Sequence, residues 1–326
     1  MEIKAEIVAH SKSSVNGKEI VTFSLEYPRF IHSELMTHRL FSRNAASSRA
    51  IPVAKMIEQV RNDPAMPIHW GKNQSGMQAK EELVGCDLDA TQSDWQTAVV
   101  CAASIAERMS NYGAHKQITN RLLEPFQMMK TVLTATEFDN FFWLRKHPDA
   151  QPEIKLLAEK MWEELKESEP QTLLPGMWHL PYVDTMLLND EEGNLCQQVY
   201  FCQHEGKMME TSLECALAIS ASCCAQVSYR KLDDSLEKAK DIFSKLIESK
   251  PCHASPTEHQ ATPMQQGGEF WDEGGEYSLN CPHSSDCWEE GVTHSDRQGN
   301  LWSGNFKSWI QHRQIIPENV CWNFEE

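Results

Sequence analysis

Thirteen consecutive residues, Thr37-His38-Arg39-Leu40-Phe41-Ser42-Arg43-Asn44-Ala45-Ala46-Ser47-Ser48-Arg49, gather three arginines, a histidine, an asparagine and four hydroxyl side chains, with no carboxylate among them. The guanidinium forks of Arg39, Arg43 and Arg49 suit a phosphate or a flat heterocycle. The chain around them has a formal net charge of −17. A cationic segment this dense on an acidic body points to a small anionic ligand and away from a nucleic-acid duplex or an anionic membrane. Hydroxyl, amide and guanidinium donors in one stretch are what a phosphate-and-base pocket requires. The plainer alternative is a solvated cationic helix end packed by Leu40 and Phe41.

Three further groups carry chemistry. Asn120-Arg121-Leu122-Leu123-Glu124-Pro125 supplies another guanidinium. Asp139 to Ile154 places Arg145 at the end of one helix, with the next starting at Pro152, although a cation in a last turn is favoured by the helix dipole whatever its role. The last group is Ala225-Gln226-Val227-Ser228-Tyr229 with His253-Ala254-Ser255-Pro256-Thr257-Glu258-His259. Zinc is conceivable there, but HExxH is missing and Pro256 interrupts the segment, so a turn capped by Ser255 is the simpler reading. Ser47 has no neighbouring base, which makes it a ligand and not a nucleophile. Two sets, Cys196, Cys202 and His204, and Cys281, His283 and Cys287, have ligand chemistry without the CxxC spacing of structural zinc. The eleven cysteines therefore read as reduced thiols with no resident metal.

These residues need elements to hold them. Glu19 to Phe30 alternates like a half-buried strand and is stopped at Pro28. Helices are expected over Ile31–Arg39, Gln92–Tyr112, Arg121–Thr134 and Glu137–Arg145. A cleaner one spans Pro152–Lys166, where Ile154, Leu157, Ala158, Met161, Trp162 and Leu165 form one apolar stripe. Cys215–Gln226 reads as a buried helix and Asp234–Lys250 as an amphipathic one capped near Ser235. Residues 168–210, broken by Pro170, Pro175, Gly176, Pro181 and Gly193, read as an irregular insertion, with Trp178 and His179 as loop anchors. The tail from Gln265 reads as loops with short strands. No repeat is evident. The pattern is α+β and helix-rich, without regular βαβ alternation, GxGxxG or GxxxxGK[ST]. No apolar run approaches the ~18–20 residues of a membrane span, and Met1-Glu2-Ile3-Lys4 opens no signal core.

Taken together, the four groups resemble the flavin-dependent thymidylate synthases (the ThyX family), whose signature reads RHRxxSxNxxSxR. Thr37 to Arg49 matches all but the first arginine. The approach strand Thr22-Phe23-Ser24-Leu25 to Pro28 and Phe30 resembles that family's, as does Asn140-Phe141 to Leu144-Arg145 followed by Ala150-Gln151-Pro152-Glu153-Ile154. Ala225–Tyr229 and His253–His259 resemble two segments that in the family precede the signature but here follow it by about two hundred residues. The order implies a circular permutation, which the nearness of chain ends in compact domains tolerates. The expected fold is a helix-rich, permuted ThyX-like domain with a small antiparallel sheet, formed by residues 1–167 and 211–326 around an insertion at 168–210.

The resemblance implies FAD, with methylenetetrahydrofolate and NADPH as co-substrates, in a cytoplasmic homotetramer (bacterial, or host cytoplasm if viral) that binds nucleotide where subunits meet. It implies flavin contacts at Thr37, His38, Arg39, Asn44, Asn140, Ser255 and Glu258. Nucleotide contacts are implied at Glu34, Ser47, Arg49, Arg121 and Arg145, with Glu34 standing where the family has a glutamine that touches the pyrimidine. The expected reaction is one-carbon transfer to C5 of a pyrimidine deoxynucleotide, dUMP to dTMP. The alternatives are 5-hydroxymethylation of dUMP or dCMP, and a non-catalytic nucleotide-binding protein that has lost flavin. Thr37, Ala45 and Thr134-Ala135-Thr136 depart from the family pattern. Uracil C5 is a poor nucleophile, and a fixed guanidinium at the N3/O2/O4 edge favours the electron-rich ring. Arg145 is assigned that catalytic role.

Overall fold

The structure is a computed structural model that describes residues 2–76, 79–204, 206–228, 233–247, 249–266, 285 and 288–323. Tyr229 and the Cys281, His283 and Cys287 set lie outside the described residues.

A five-stranded sheet organises the molecule, in the order β3 (Ser42–Ala45), β4 (Met128–Ala135), β2 (Glu19–Pro28), β1 (Lys4–Ser13) and β5 (Gln171–Leu173). β1 (Lys4–Ser13) and β2 (Glu19–Pro28) form a hairpin. Its turn is at Asn16-Gly17, where Gly17 has φ +71° and the Lys18 amide donates to Asn16 Oδ1 at 3.0 Å. β3 (Ser42–Ala45) is the middle of the arginine-rich segment, paired antiparallel to β4 (Met128–Ala135). β5 (Gln171–Leu173) adds a parallel edge on β1, so the sheet is mixed and not purely antiparallel.

Both faces of this sheet are covered, and alternation along β2 shows how. Val21, Phe23, Leu25 and Tyr27 point into one core with Phe141 and Phe142, and with Ile154, Leu157, Ala158 and Met161. The latter four lie at helical spacing on the helix Pro152–Glu167, which starts with proline in its first turn. Each of the large aliphatic and phenylalanine side chains contributes about 1.5–3 kcal/mol by leaving water. Ile20 and Thr22 point the other way, towards the second half of the chain. There His179, fully buried, is hydrogen-bonded through Nδ1 to Ser11 Oγ at 2.9 Å and through Nε2 to Thr22 Oγ1 at 2.8 Å. The line continues from Thr22 to Thr134 Oγ1 at 2.7 Å and from Thr134 to His259 Nδ1 at 2.8 Å. Burial holds both histidines neutral, pushed down to about 3. The anchor reading of Trp178 and His179 is thus met, since both are buried.

A third layer stands apart. Helices Val53–Asn62 and Cys86–Asn111 pack on each other and on Leu123 through Met56, Ile57, Val60, Val99, Ala103 and Ala106.

Several expected elements differ. Residues 121–134 are not a helix: Asn120–Phe126 is a 3-10 turn and β4 follows. Every residue of β4 but Lys130 is buried, so its apolar run carries neither period clearly. The helix expected over Ile31–Arg39 is one short 3-10 turn plus His32–Leu35. Residues 168–210 are not irregular, because they contain β5, and Thr185–Asn189 and Leu195–His204 pair in a three-stranded meander with Lys207–Thr211. The prolines flank these strands and do not fall within them. Ser255 does not cap the turn Ser255–Glu258; Ala254 is the capping position and no side-chain cap bond forms.

Candidate functional site

Arg145 ends the helix Asp139–Arg145, four residues after Phe141 and therefore on the same face. Phe141 and the His38 ring meet in a T-shaped contact, with centroids 4.9 Å apart, and Phe41 stacks on His38 at 5.7 Å. That packing delivers the guanidinium. Arg145 Nε donates to His38 Nε2 at 3.0 Å, NH1 donates to Glu34 Oε2 at 2.9 Å, and NH2 donates to Thr37 Oγ1 at 3.3 Å. Four expected site residues thus meet in one hydrogen-bonded group, across more than a hundred residues of sequence.

His38 is 8% exposed. Burial, with the Arg145 and Arg43 guanidiniums beside it, pushes its pKa down to about 4. A neutral ring that accepts at Nε2 carries its proton on Nδ1. The turn itself is tied by Thr37 Oγ1 donating to Glu34 O at 2.7 Å. Arg43, outside the expected contacts, donates from NH1 to Leu35 O at 3.0 Å and His38 O at 3.2 Å. Nothing in the sequence marked that clamp beyond the presence of an arginine.

A second group forms around Glu124. Its Oε1 accepts from Ser48 Oγ at 2.7 Å and Arg121 NH1 at 2.8 Å, and lies 3.2 Å from Arg29 NH2. Asn120 Nδ2 donates to Ser48 O and Ile51 O at 2.7 and 2.9 Å, fixing the loop that carries Ser47 and Arg49. Arg49 is exposed. Glu124 and Arg29 were not among the expected contacts; only the Asn120–Pro125 stretch flagged the region. A cavity of about 620 Å³ opens beside it, lined by Ala46, Ala50, Lys55, Gln127 and Lys130 among others. The two arginine groups share no hydrogen bond among the described residues.

The remaining expected contacts divide. Arg39, Asn140 and Ser255 are exposed and make no side-chain hydrogen bond among the described residues. Asn44 is spent on the protein, donating to Cys224 O at 3.3 Å. Glu258 is paired with Arg313. This pairing sits on the far edge of the signature strand, where Gln311 Nε2 donates to Ser42 Oγ at 3.1 Å and to Glu258 O at 3.1 Å. His253 is exposed and His259 is buried, so the two histidines do not converge. Among the described residues no group of three His, Cys, Asp or Glu could hold a metal, the Cys196, Cys202 and His204 set included. The nine described cysteines are free thiols. No described helix is long and apolar enough to cross a membrane.

A UMP/dUMP methylase, PolB from Streptomyces cacaoi bound with 5-Br dUMP, is 18% identical with a TM-score of 0.41, over 51% of this chain and 90% of that one. ThyX from Helicobacter pylori, with FAD and dUMP, is 16% identical with a TM-score of 0.31, over 45% and 67%. No curated protein matches. The family model described as thymidylate synthase complementing protein (Thy1) matches residues 2–171, more than half of the chain, which therefore belongs to that family.

Proposed function

We propose that the protein is an enzyme that transfers a one-carbon unit from methylenetetrahydrofolate to C5 of a pyrimidine deoxynucleotide, with dUMP to dTMP as the family's reference reaction. The observation that carries this reading is the convergence of Arg145 on Glu34, Thr37 and His38. A guanidinium held on three sides is rigid, and rigidity is what lets a fixed charge stabilise electron density developing in a bound ring. The base lies against Arg145 and Glu34. Its phosphate lies at Ser47, Arg49 and Arg121, beside the cavity behind Ala46 and Ala50.

The donor set fits a flavin dinucleotide. Arg39, Asn140 and Ser255 keep their polar groups unspent, and an anionic dinucleotide needs such donors. Thr37 and His38 directly precede Arg39 in the chain, whereas Asn44 and Glu258 reach the flavin only if their present bonds open. Bound FAD supplies the hydride that reduces the transferred carbon, and NADPH restores it. His38, neutral, donates from Nδ1 while its Nε2 is occupied by Arg145.

The chain order is read as a circular permutation of the family domain. In support, the turns Gln226–Ser228 and Ser255–Glu258 both pack on β3. The assembly is read as a cytoplasmic homotetramer, in which one subunit's Arg145 group and a neighbour's Arg121 group grip one nucleotide. Purification under mild conditions is expected to give a yellow protein that binds pyrimidine 5′-deoxynucleotides and yields a C5-methylated product with methylenetetrahydrofolate and NADPH. A colourless protein that neither rebinds FAD nor turns over overturns the reading. A product heavier by one oxygen than the methylated one identifies the hydroxymethylating alternative.

A further inference from the structure

The polar edge around Arg145 is asymmetric. Three of the five guanidinium N–H groups are consumed by His38, Glu34 and Thr37, leaving one on each terminal nitrogen. Glu34 gives Oε2 to the ion pair, and its Oε1 has no partner among the described residues. The pair is only partly covered, with the side chains of Arg145 and Glu34 20% and 31% exposed. What it offers a flat ligand is two donors beside one acceptor.

We infer that the base this site selects is an aminopyrimidine, so that the nucleotide is a cytosine deoxynucleotide in preference to a uracil one. The inference rests on the proposal that the Arg145 group holds the base. Cytosine presents, in order, O2 and N3 as acceptors and the N4 amino group as donor, which complements donor, donor, acceptor at all three positions. Uracil presents acceptor, donor, acceptor. It can place N3–H on Glu34 Oε1 and O2 on Arg145 only by sliding one position, and O4 then has no partner, so the third bond is lost. In the unshifted register O4 faces a carboxylate oxygen, acceptor against acceptor, with N3–H against a guanidinium N–H. A carboxylate receiving the cytosine amino group is the standard pairing for that base edge. The Arg145 ion pair fixes Glu34 in place, so the carboxylate cannot rotate its mismatch away without breaking a bond at 2.9 Å.

The test is calorimetric titration of the intact protein with dCMP and with dUMP, repeated on E34Q. The wild type is expected to bind dCMP about 10–100-fold more tightly than dUMP, the range for one matched base edge. In E34Q the amide can turn either its oxygen or its nitrogen to the base, so that preference is expected to shrink below threefold or invert. Circular dichroism of E34Q, at a partly exposed position, checks that the fold persists. If the wild type binds dUMP as tightly as dCMP or more tightly, the inference is overturned and the pyrimidine reading stands. If the wild type prefers dCMP and folded E34Q keeps the full preference, Glu34 is not the selector and the inference is overturned. If neither nucleotide binds, both this inference and the proposed function fall.

Discussion

Two arginines of this chain, Arg145 and Arg121, make opposite use of a glutamate. Arg145 shares Glu34 with nothing else and keeps N–H groups to spare, while Glu34 keeps an oxygen. Around Glu124, one oxygen takes Ser48, Arg121 and Arg29 together. The first pair is held against aromatic packing and presents a fixed edge to a ligand, whereas in the second the glutamate gathers three donors on one oxygen and ties the signature loop to the turn Asn120–Phe126, while the exposed Arg121 spends a single N–H on it. The lesson is that a guanidinium–carboxylate pair is not by itself a site. What counts is the donors and acceptors left over, and whether packing such as Phe141 against His38 holds them still.

The sharpest way to break this comparison is at Arg145. R145A is expected to lower kcat/KM by about 10²–10³-fold, as removal of a fixed electrostatic donor does. R145K, which keeps the charge but not the three-way fork, is expected to recover little of it. A loss below tenfold in steady-state kinetics would put Arg145 with the structural arginines. T134V comes next. It leaves the shape intact but removes the hydroxyl between Thr22 and His259, at an expected cost of about 1–3 kcal/mol in denaturant unfolding, with ligand binding retained. E124A is expected to destabilise by about 1–2 kcal/mol, because Arg29 and Ser48 lose their shared acceptor. R121A, on an exposed side chain, is expected to cost only about 0.2–1 kcal/mol of stability while weakening nucleotide binding, which separates its two roles.

Acid sharpens the same contrast. His38, His179, His259 and His312 are held near 3 to 4 in the folded chain by burial, against the ordinary 6.5 when unfolded. Between those values the unfolded chain binds protons that the folded chain refuses, so stability falls as pH drops from about 6.5 towards 4. H38N is expected to keep most of that slope, since three core histidines remain. Unfolding midpoints measured at several pH values decide it.

Much of this was legible beforehand, for physical reasons that differ by element. Pro152–Glu167 was readable because its apolar stripe has one period and an N-terminal proline. The signature segment was readable as a donor cluster because it holds no carboxylate to neutralise it, although the fold spends Ser42, Arg43, Asn44 and Ser48 on the protein itself. Strand β4 was not, because a segment buried on both faces loses the alternation that marks a strand. The His179–Thr22–Thr134–His259 line was equally hidden: its members are ordinary residues until the sheet sets them side by side.

Taken alone, the sequence determined the chemical inventory and the local shapes: an arginine-rich segment on an acidic chain, and helices whose periodicity holds without partners. Only the tertiary structure decided which arginine is locked into a packed group and which stays exposed beside a shared carboxylate. Hydrogen-bond partners lie 107 to 111 positions away from Arg145, and a bond that spans so much chain is set by how the sheet and helices pack, not by any local preference of the residues that make it.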